Sequence, residues 1–370
     1  MLPFGIVEQF SPRAKRQEMN EQPDGQGTYH SSKSLKREGI FKRARGMIGI
    51  GALIVLPILI DHPYYREIIA LIFLWSAMAG AWNIVGGYAG KFSLGHAAFF
   101  GIGAYTSGLL YVRLGVSPWL GMLAGVVLSV MLALFIGVVT LRLKGKFFAL
   151  CTIAFAQLVE IMAVYLRSVT GGSEGLQIPF NEGFWNLTFS SKLTWVYIFG
   201  GLMLLVYAIS RWMERSALGY KLSALREDED AAEALGINTL WAKLACISIS
   251  AALTSVGGSL FAQYFLWLEP AFVLGIDLSI QFALYAIIGS MGTAIGPILG
   301  ATLITPLQIF LRAALGTSAS GISMLIYGLI LILVVLFMPK GMAVEIGDRI
   351  RKWSQRSHLK SANSEASNVP

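Results

Sequence analysis

The chain has 370 residues, of which 55% are hydrophobic and only 14% charged, and its mean hydropathy is +0.64. Soluble domains carry about 25% charged residues, so this chain cannot cover the surfaces of two or three soluble domains. It holds too much apolar surface to be disordered over most of its length. The formal charge of +8 would suggest nucleic acid in a soluble protein, but in a polytopic membrane protein it asks which side of the bilayer carries the positive residues.

Residues 1–45 are polar and basic, with Arg13, Lys15, Arg16, Lys33, Lys36, Arg37, Lys42, Arg43 and Arg45. The charges extend too far before the first apolar run for a signal peptide, and no clear small-residue cleavage site closes that run. This stretch reads as a disordered cytoplasmic tail. A bilayer core takes about 20 helical residues. Spans are therefore expected near 46–60, 68–88, 93–112, 118–141, 147–166, 193–210, 244–268, 276–292, 297–314 and 322–338, ten in all. With both termini inside, the inner face holds nine Lys/Arg in the N-terminal tail, Lys91, three at 142–146, five at 211–243 and six in the C-terminal tail. That is 24 of the 29 basic residues. Only Arg66, Arg113, Arg167, Lys192 and Arg312 fall outside, in line with the positive-inside rule. Residues 167–192 make the longest outer loop and 211–243 the longest inner one. The stretch 341–370 reads as a second cytoplasmic tail.

Motifs for enzyme chemistry fail. Gly90-Lys91 lacks the rest of a phosphate loop. The four histidines are scattered, and neither a paired-histidine zinc motif nor a Ser-His-Asp arrangement can be read. Cys151 and Cys246 sit in apolar runs and read as small buried hydrophobes. No metal or cofactor is expected on this chain.

Three segments stand out. The first, NIVGGYAGKFSLGHAAFFGIGAY over 83–105, combines glycine punctuation with polar groups at membrane depth. Irregular backbone there is tolerated when it is buried in protein or lines a cavity. Asn83, Gly90, Ser93, His96, Phe99 and Tyr105 are candidates for the translocation path, against the alternative of tight packing. The second is GSMGTAIGPILG over 289–300, where Gly292, Gly296 and Gly300 recur every four residues as a helix-packing pattern interrupted by Pro297. The third is SALGYKLSALREDEDAAEALGIN over 216–238. A short helix is expected at 228–235, with Asp228, Glu229 and Asp230 at its positive end, Ala231, Ala232 and Leu235 as a small apolar face, and Gly236 as its stop. Such a helix suits docking into a partner's groove. Glu160, with Gln157 one turn before it, is the acid well inside a span. It reads as either a structural hydrogen-bonding group or part of the path.

Together these segments resemble the LivM-type permease subunit of branched-chain amino acid ABC importers. GKFSLGHAAFFGIGAY is close to that family's signature. Asp230-Ala-Ala-Glu-Ala-Leu-Gly236 resembles its Glu-Ala-Ala-x-x-x-Gly coupling motif, with Asp in place of the first Glu and no evident Ile/Leu-Pro element downstream. Lys243, Ile247-Ser-Ile-Ser-Ala-Ala and Pro270 continue the resemblance, which covers about residues 46–340 and leaves out the N-terminal tail. It implies an all-α polytopic protein of the bacterial inner membrane with ABC importer permease architecture. The implied partners are a second, LivH-like permease subunit, two ATPase subunits holding ATP and magnesium, an extracytoplasmic substrate-binding protein and membrane lipid, with no nucleic acid. Asp228–Gly236 would contact the ATPases, and this chain would be a transport subunit rather than an enzyme. Relatives that move urea, short amides or other amino acids leave the substrate open. An ion-coupled secondary transporter using Glu160 is the competing class.

Overall fold

The computed structural model describes residues 60–315 apart from Arg142 and Lys144, together with Pro57 and scattered positions between 325 and 345. The expected tail at 1–45, all but the first five residues of that at 341–370 and almost all of the expected span at 46–60 lie outside the described residues, and the span at 322–338 lies largely outside them.

Helix α1 (Pro63–Asn83) starts where His62 caps the backbone N–H of Tyr64 and proline takes the first turn, a position that needs no intrahelical donor. It passes directly into a π-helical turn, Ile84–Tyr88. Helix α2 (His96–Leu114) ends on Gly115 in the left-handed conformation. Helices α3 (Pro118–Thr140) and α4 (Lys146–Tyr165) follow. The outer loop then holds the one-turn α5 (Arg167–Thr170) and the strand β1 (Leu176–Gln177). Helix α6 (Lys192–Met213) leads to the two short helices of the inner loop, α7 (Ala217–Glu227) and α8 (Glu229–Ala234). Helix α9 (Thr239–Phe265) is the longest described. Strand β2 (Trp267–Leu268), the one-turn α10 (Pro270–Val273), α11 (Ile276–Ser290) and α12 (Gly296–Leu315) complete the chain as described.

Among the described residues seven helical segments are long and apolar enough to cross a membrane. Ten spans were expected. Two of the ten lie at the ends just noted. A third, 93–112, corresponds to α2, whose 19 residues include His96, Tyr105, Ser107 and Arg113 and dilute its apolar character. Most of that polarity is buried against protein, since His96 and Ser107 are fully inside.

The long helices differ in what surrounds them. Helices α1 and α9 are buried along most of their length, whereas α3 and α4 are largely exposed and present Leu123, Val127, Met131, Phe135 and Ile161 outward. Helix α9 packs on α1, α2 and α3. Its approach to α2 depends on small residues: a methyl group on Gly258 would lie 1.9 Å from the Phe100 carbonyl oxygen. Ser259 Oγ also donates to the Gly103 carbonyl at 2.9 Å. Close backbone contact of this kind is how helices associate where burial in lipid supplies no driving force. Trp75, Phe100, Phe261 and Phe282 form an aromatic cluster between α1, α2, α9 and α11. Strand β1 pairs antiparallel with β2, Leu176 opposite Leu268, so the outer loop is tied to the segment that follows α9.

Candidate functional site

The inner loop folds as its residues dictate. Ser216 caps α7 by accepting from Gly219 N at 3.1 Å. The Asp228 carboxylate caps α8, accepting from Asp230 N and Ala231 N at 3.0 Å each, as an acid at a helix start should. Gly236 follows the helix with φ +81°. Ala232 is buried and Leu235 is 81% exposed, with Ala231, Asp228 and Asp230 also at the surface.

Glu229 anchors this loop. Its carboxylate accepts from Lys91 Nζ at 2.8 Å and from Lys243 Nζ, which is itself almost fully buried. Lys243 also reaches the Leu141 carbonyl at 3.4 Å. A buried ammonium is tolerable only when paired, so Glu229 binds the loop both to α9 and to the segment after α1. Burial alone would push the Glu229 carboxyl up. The hydrogen bonds and charges of Lys243 and Lys91 outweigh that and hold it below the ordinary carboxylate range.

A second set of ties grips the π-helical turn. Arg226 Nη1 donates to the Gly87 carbonyl at 3.0 Å. Tyr88 OH donates to Glu214 Oε1 at 3.0 Å, and the same oxygen accepts from Ala294 N at 2.9 Å, while Arg211 pairs with the other. Asn83 Nδ2 donates to the Thr293 carbonyl at 3.0 Å and its Oδ1 accepts from Gly292 N at 2.8 Å. A methyl group on Gly87 would sit 2.0 Å from Asn83 Oδ1 and 2.5 Å from Gly292 N, so glycine is required for this approach. The three segments singled out in the sequence therefore meet at one end of the bundle. Gly292 forms the turn with φ +79°. Gly296 opens α12, and Gly300 packs on the Tyr285 carbonyl of α11.

The path candidates are distributed differently. Asn83 belongs to the tie, and Gly90, at φ +64°, packs on Arg226. Ser93, His96, Phe99 and Tyr105 are buried between α1, α2 and α9 or the strand after α9. The Ser93 carbonyl accepts from Trp82 Nε1 at 2.6 Å. His96 Nε2 lies 2.8 Å from Ser250 Oγ, and that hydroxyl donates to the Ala81 carbonyl at 2.6 Å. With the hydroxyl proton so used, Nε2 is the donor. Phe99 packs edge-on to the His96 ring. Tyr105 OH donates to the Leu268 carbonyl at 3.0 Å and thereby steadies β2. Gln157 and Glu160 lie on the exposed helix α4, the first exposed and the second half-buried.

Gly90 lines a cavity of about 580 Å³ with Lys91 and Phe92, but none of these eight lines a second one at the other end of α1. That cavity, of about 720 Å³, lies between α1, the end of α9, α11 and α12. Glu67, Glu269 and Arg312 line it near one end, and Gln281, Gln308 and Trp75 line it farther in. Glu67 stands sixteen residues before Asn83 on α1, about 24 Å along the helix, so the charged rim is at the opposite end from the loop ties. Arg312 entered the sequence reading only as one of five basic residues on the outer side, and Glu67 did not enter it. The Gln281–Tyr285 spacing of four was the available sign that α11 presents a polar stripe.

A family model described as branched-chain amino acid transport system / permease component matches residues 64–335. The chain belongs to this family. This chain is 31% identical over 294 residues to the high-affinity branched-chain amino acid transport system permease protein LivM of Salmonella typhimurium, covering 70% of this chain and 65% of that one. It is 29% identical to LivM of Escherichia coli K12, covering 75% and 69%. It is also 26% identical to the permease protein LivH of S. typhimurium, covering 72% and 90%. This chain thus matches about two thirds of the length of the two LivM relatives, and it resembles both kinds of permease chain.

Proposed function

We propose that this chain is a membrane-spanning permease subunit of an ATP-driven importer of branched-chain amino acids. It would pair with a LivH-like permease, dock two ATPase chains on the 211–243 loop and receive substrate from an extracytoplasmic binding protein, in a bacterial inner membrane with both termini cytoplasmic. ATP and magnesium would be held by the ATPases, and the membrane path would switch sides by alternating access.

The observation that carries this reading is the way the loop is tied to the transmembrane helices. Helix α8 exposes Leu235, Asp228 and Asp230, while Glu229, Arg226 and Glu214 hold the same loop to α9, to the π-helical turn after α1 and to the turn before α12. A force applied at α8 is therefore delivered to three transmembrane elements. Gly236→Arg forces a side chain onto a left-handed position. In membranes holding the co-expressed transporter it should leave the permease inserted while uncoupling ATP hydrolysis from leucine uptake. Normal uptake and normal ATPase docking in that variant would end the lever assignment. Uptake driven by an ion gradient without ATP, and lost in Glu160→Gln, would favour the secondary-transporter class instead.

A further inference from the structure

The charges lining the 720 Å³ cavity divide into partnered and unpartnered ones. Glu67 is paired with Lys192, Nζ to Oε2 at 3.2 Å. The side chains of Arg312 and Glu269, both exposed, make no ion pair or hydrogen bond with any described residue, although the Glu269 carbonyl accepts from Phe272 N and Val273 N. Deeper in, the polarity is neutral and mostly self-satisfied, with the buried Thr305 hydroxyl left without a partner among the described residues. Gln281 Nε2 donates to Tyr285 Oη at 2.7 Å, and Tyr285 OH donates to Gln308 Oε1 at 2.8 Å. Farther along α1 the lining becomes aromatic with Trp75, which packs tilted against Phe261 at 6.1 Å between centroids. From Glu67 to Trp75 is eight residues of α1, or about 12 Å.

We propose that this cavity holds an α-amino acid during transport, with its carboxylate on the Arg312 guanidinium, its ammonium on Glu269 and an apolar side chain on the Trp75–Phe261 floor. This deepens the importer reading above and rests on it. A guanidinium is the side chain whose forked donors match a carboxylate, and a free carboxylate of opposite sign at the same rim suits an ammonium. The volume lies in the range of small-molecule sites, which are mostly apolar with a few placed polar groups. Selectivity follows from the floor. A substrate with a charged side chain would place that charge among Trp75, Phe261 and neutral amides, where nothing pairs it, and burying an unpaired charge is strongly unfavourable. Tyr105 and the β1–β2 pairing have a place here too, since they hold the backbone of Leu268 next to Glu269.

The test uses the complete transporter, co-expressed and reconstituted in proteoliposomes with its binding protein, and labelled L-leucine as probe. The expected result is that Arg312→Ala and Glu269→Gln each lower ATP-dependent leucine uptake about tenfold or more, while complex assembly stays unchanged. Arg312→Lys should recover part of the loss. Trp75→Ala should shift the preference from leucine toward smaller amino acids, and Trp75→Phe should not. Uptake within twofold of the parent in Arg312→Ala and Glu269→Gln overturns the site and leaves the importer reading standing. Loss of assembly in both variants and in Arg312→Lys also overturns it, because the rim would then be a contact with the second permease chain. Absence of ATP-dependent leucine uptake in the parent itself brings down the importer reading and this site with it.

Discussion

The two ends of the bundle use charge in opposite ways. At the loop end Glu229, Glu214, Lys91, Lys243, Arg211 and Arg226 all have partners, and the backbone groups of Gly87, Gly292, Thr293 and Ala294 are drawn into the same network. At the cavity end Glu67 pairs with Lys192, but the exposed side chains of Arg312 and Glu269 face a space of about 720 Å³ without a partner among the described residues. A satisfied, partly buried network favours one arrangement, because its inner members, Lys243 above all, would otherwise be left desolvated and unpaired. An unsatisfied pair of opposite charges at a cavity rim has that capacity to spare for a ligand. The loop end is therefore read as the part that transmits motion and the cavity end as the part that receives cargo, although both are built from the same residue types.

The comparison breaks most readily at Glu229. Glu229→Ala would leave Lys243 buried with only the Leu141 carbonyl at 3.4 Å. Removing one partner of a buried pair costs about 3–5 kcal/mol, and because Glu229 is itself about one fifth exposed roughly 2–4 kcal/mol is expected. Thermal unfolding in detergent, followed by Trp fluorescence, should show this as a marked drop in Tm. Double replacement Glu229→Ala with Lys243→Met should regain much of the loss by removing the orphaned charge. A Glu229→Ala chain as stable as the parent would mean that the loop is not anchored there, and the contrast between the two ends would lose its basis.

Much of this was legible from residues alone. The apolar runs mark most of the long helices within a few residues, and Asp228, Ala232 and Gly236 announce the short helix of the inner loop by cap, small face and stop. The glycines at 86–87 and 292 signal close approach, but not what approaches: Asn83 bridges to Thr293 across 210 positions, a pairing that no local pattern encodes. Arg226 and Glu214 looked like ordinary loop charges because their partners, Gly87 and Tyr88, lie over a hundred residues away. The cavity was hidden for the same reason. Its rim combines Glu67, Glu269 and Arg312 from three distant segments, each of which reads singly as an interfacial charge. Glu160 and His96, by contrast, attract notice because charge or imidazole is rare inside an apolar run, and that rarity carries no information about which wall they face.

A gentler change sharpens the comparison. Tyr88→Phe removes one hydrogen bond to Glu214 and keeps the ring, while Ala294 N and Arg211 still satisfy the carboxylate. A loss of about 1 kcal/mol is expected, too little to prevent folding. If the loop end transmits motion through this tie, ATP hydrolysis should continue at near-parental rate while leucine moved per ATP falls. Unchanged coupling would confine transmission to Glu229 and Arg226.

The smallest effect concerns pH, and its sign separates the two ends. Glu229 is held below the ordinary carboxylate range in the folded chain, so it contributes stability that is fully present above its unfolded pKa of about 4.3 and is lost as pH falls through the lower folded value. The loop anchor should therefore be indifferent to pH between about 7 and 5, with loss beginning only below about 4. Hydrogen exchange of α7 and α8 at a series of pH values measures this directly, once rates are corrected for intrinsic exchange. Opening of the loop already at pH 5.5, with the bundle intact, would show that the two lysines do not hold the carboxylate ionised. The loop-end network would then be one more exposed charge cluster rather than a buried tie.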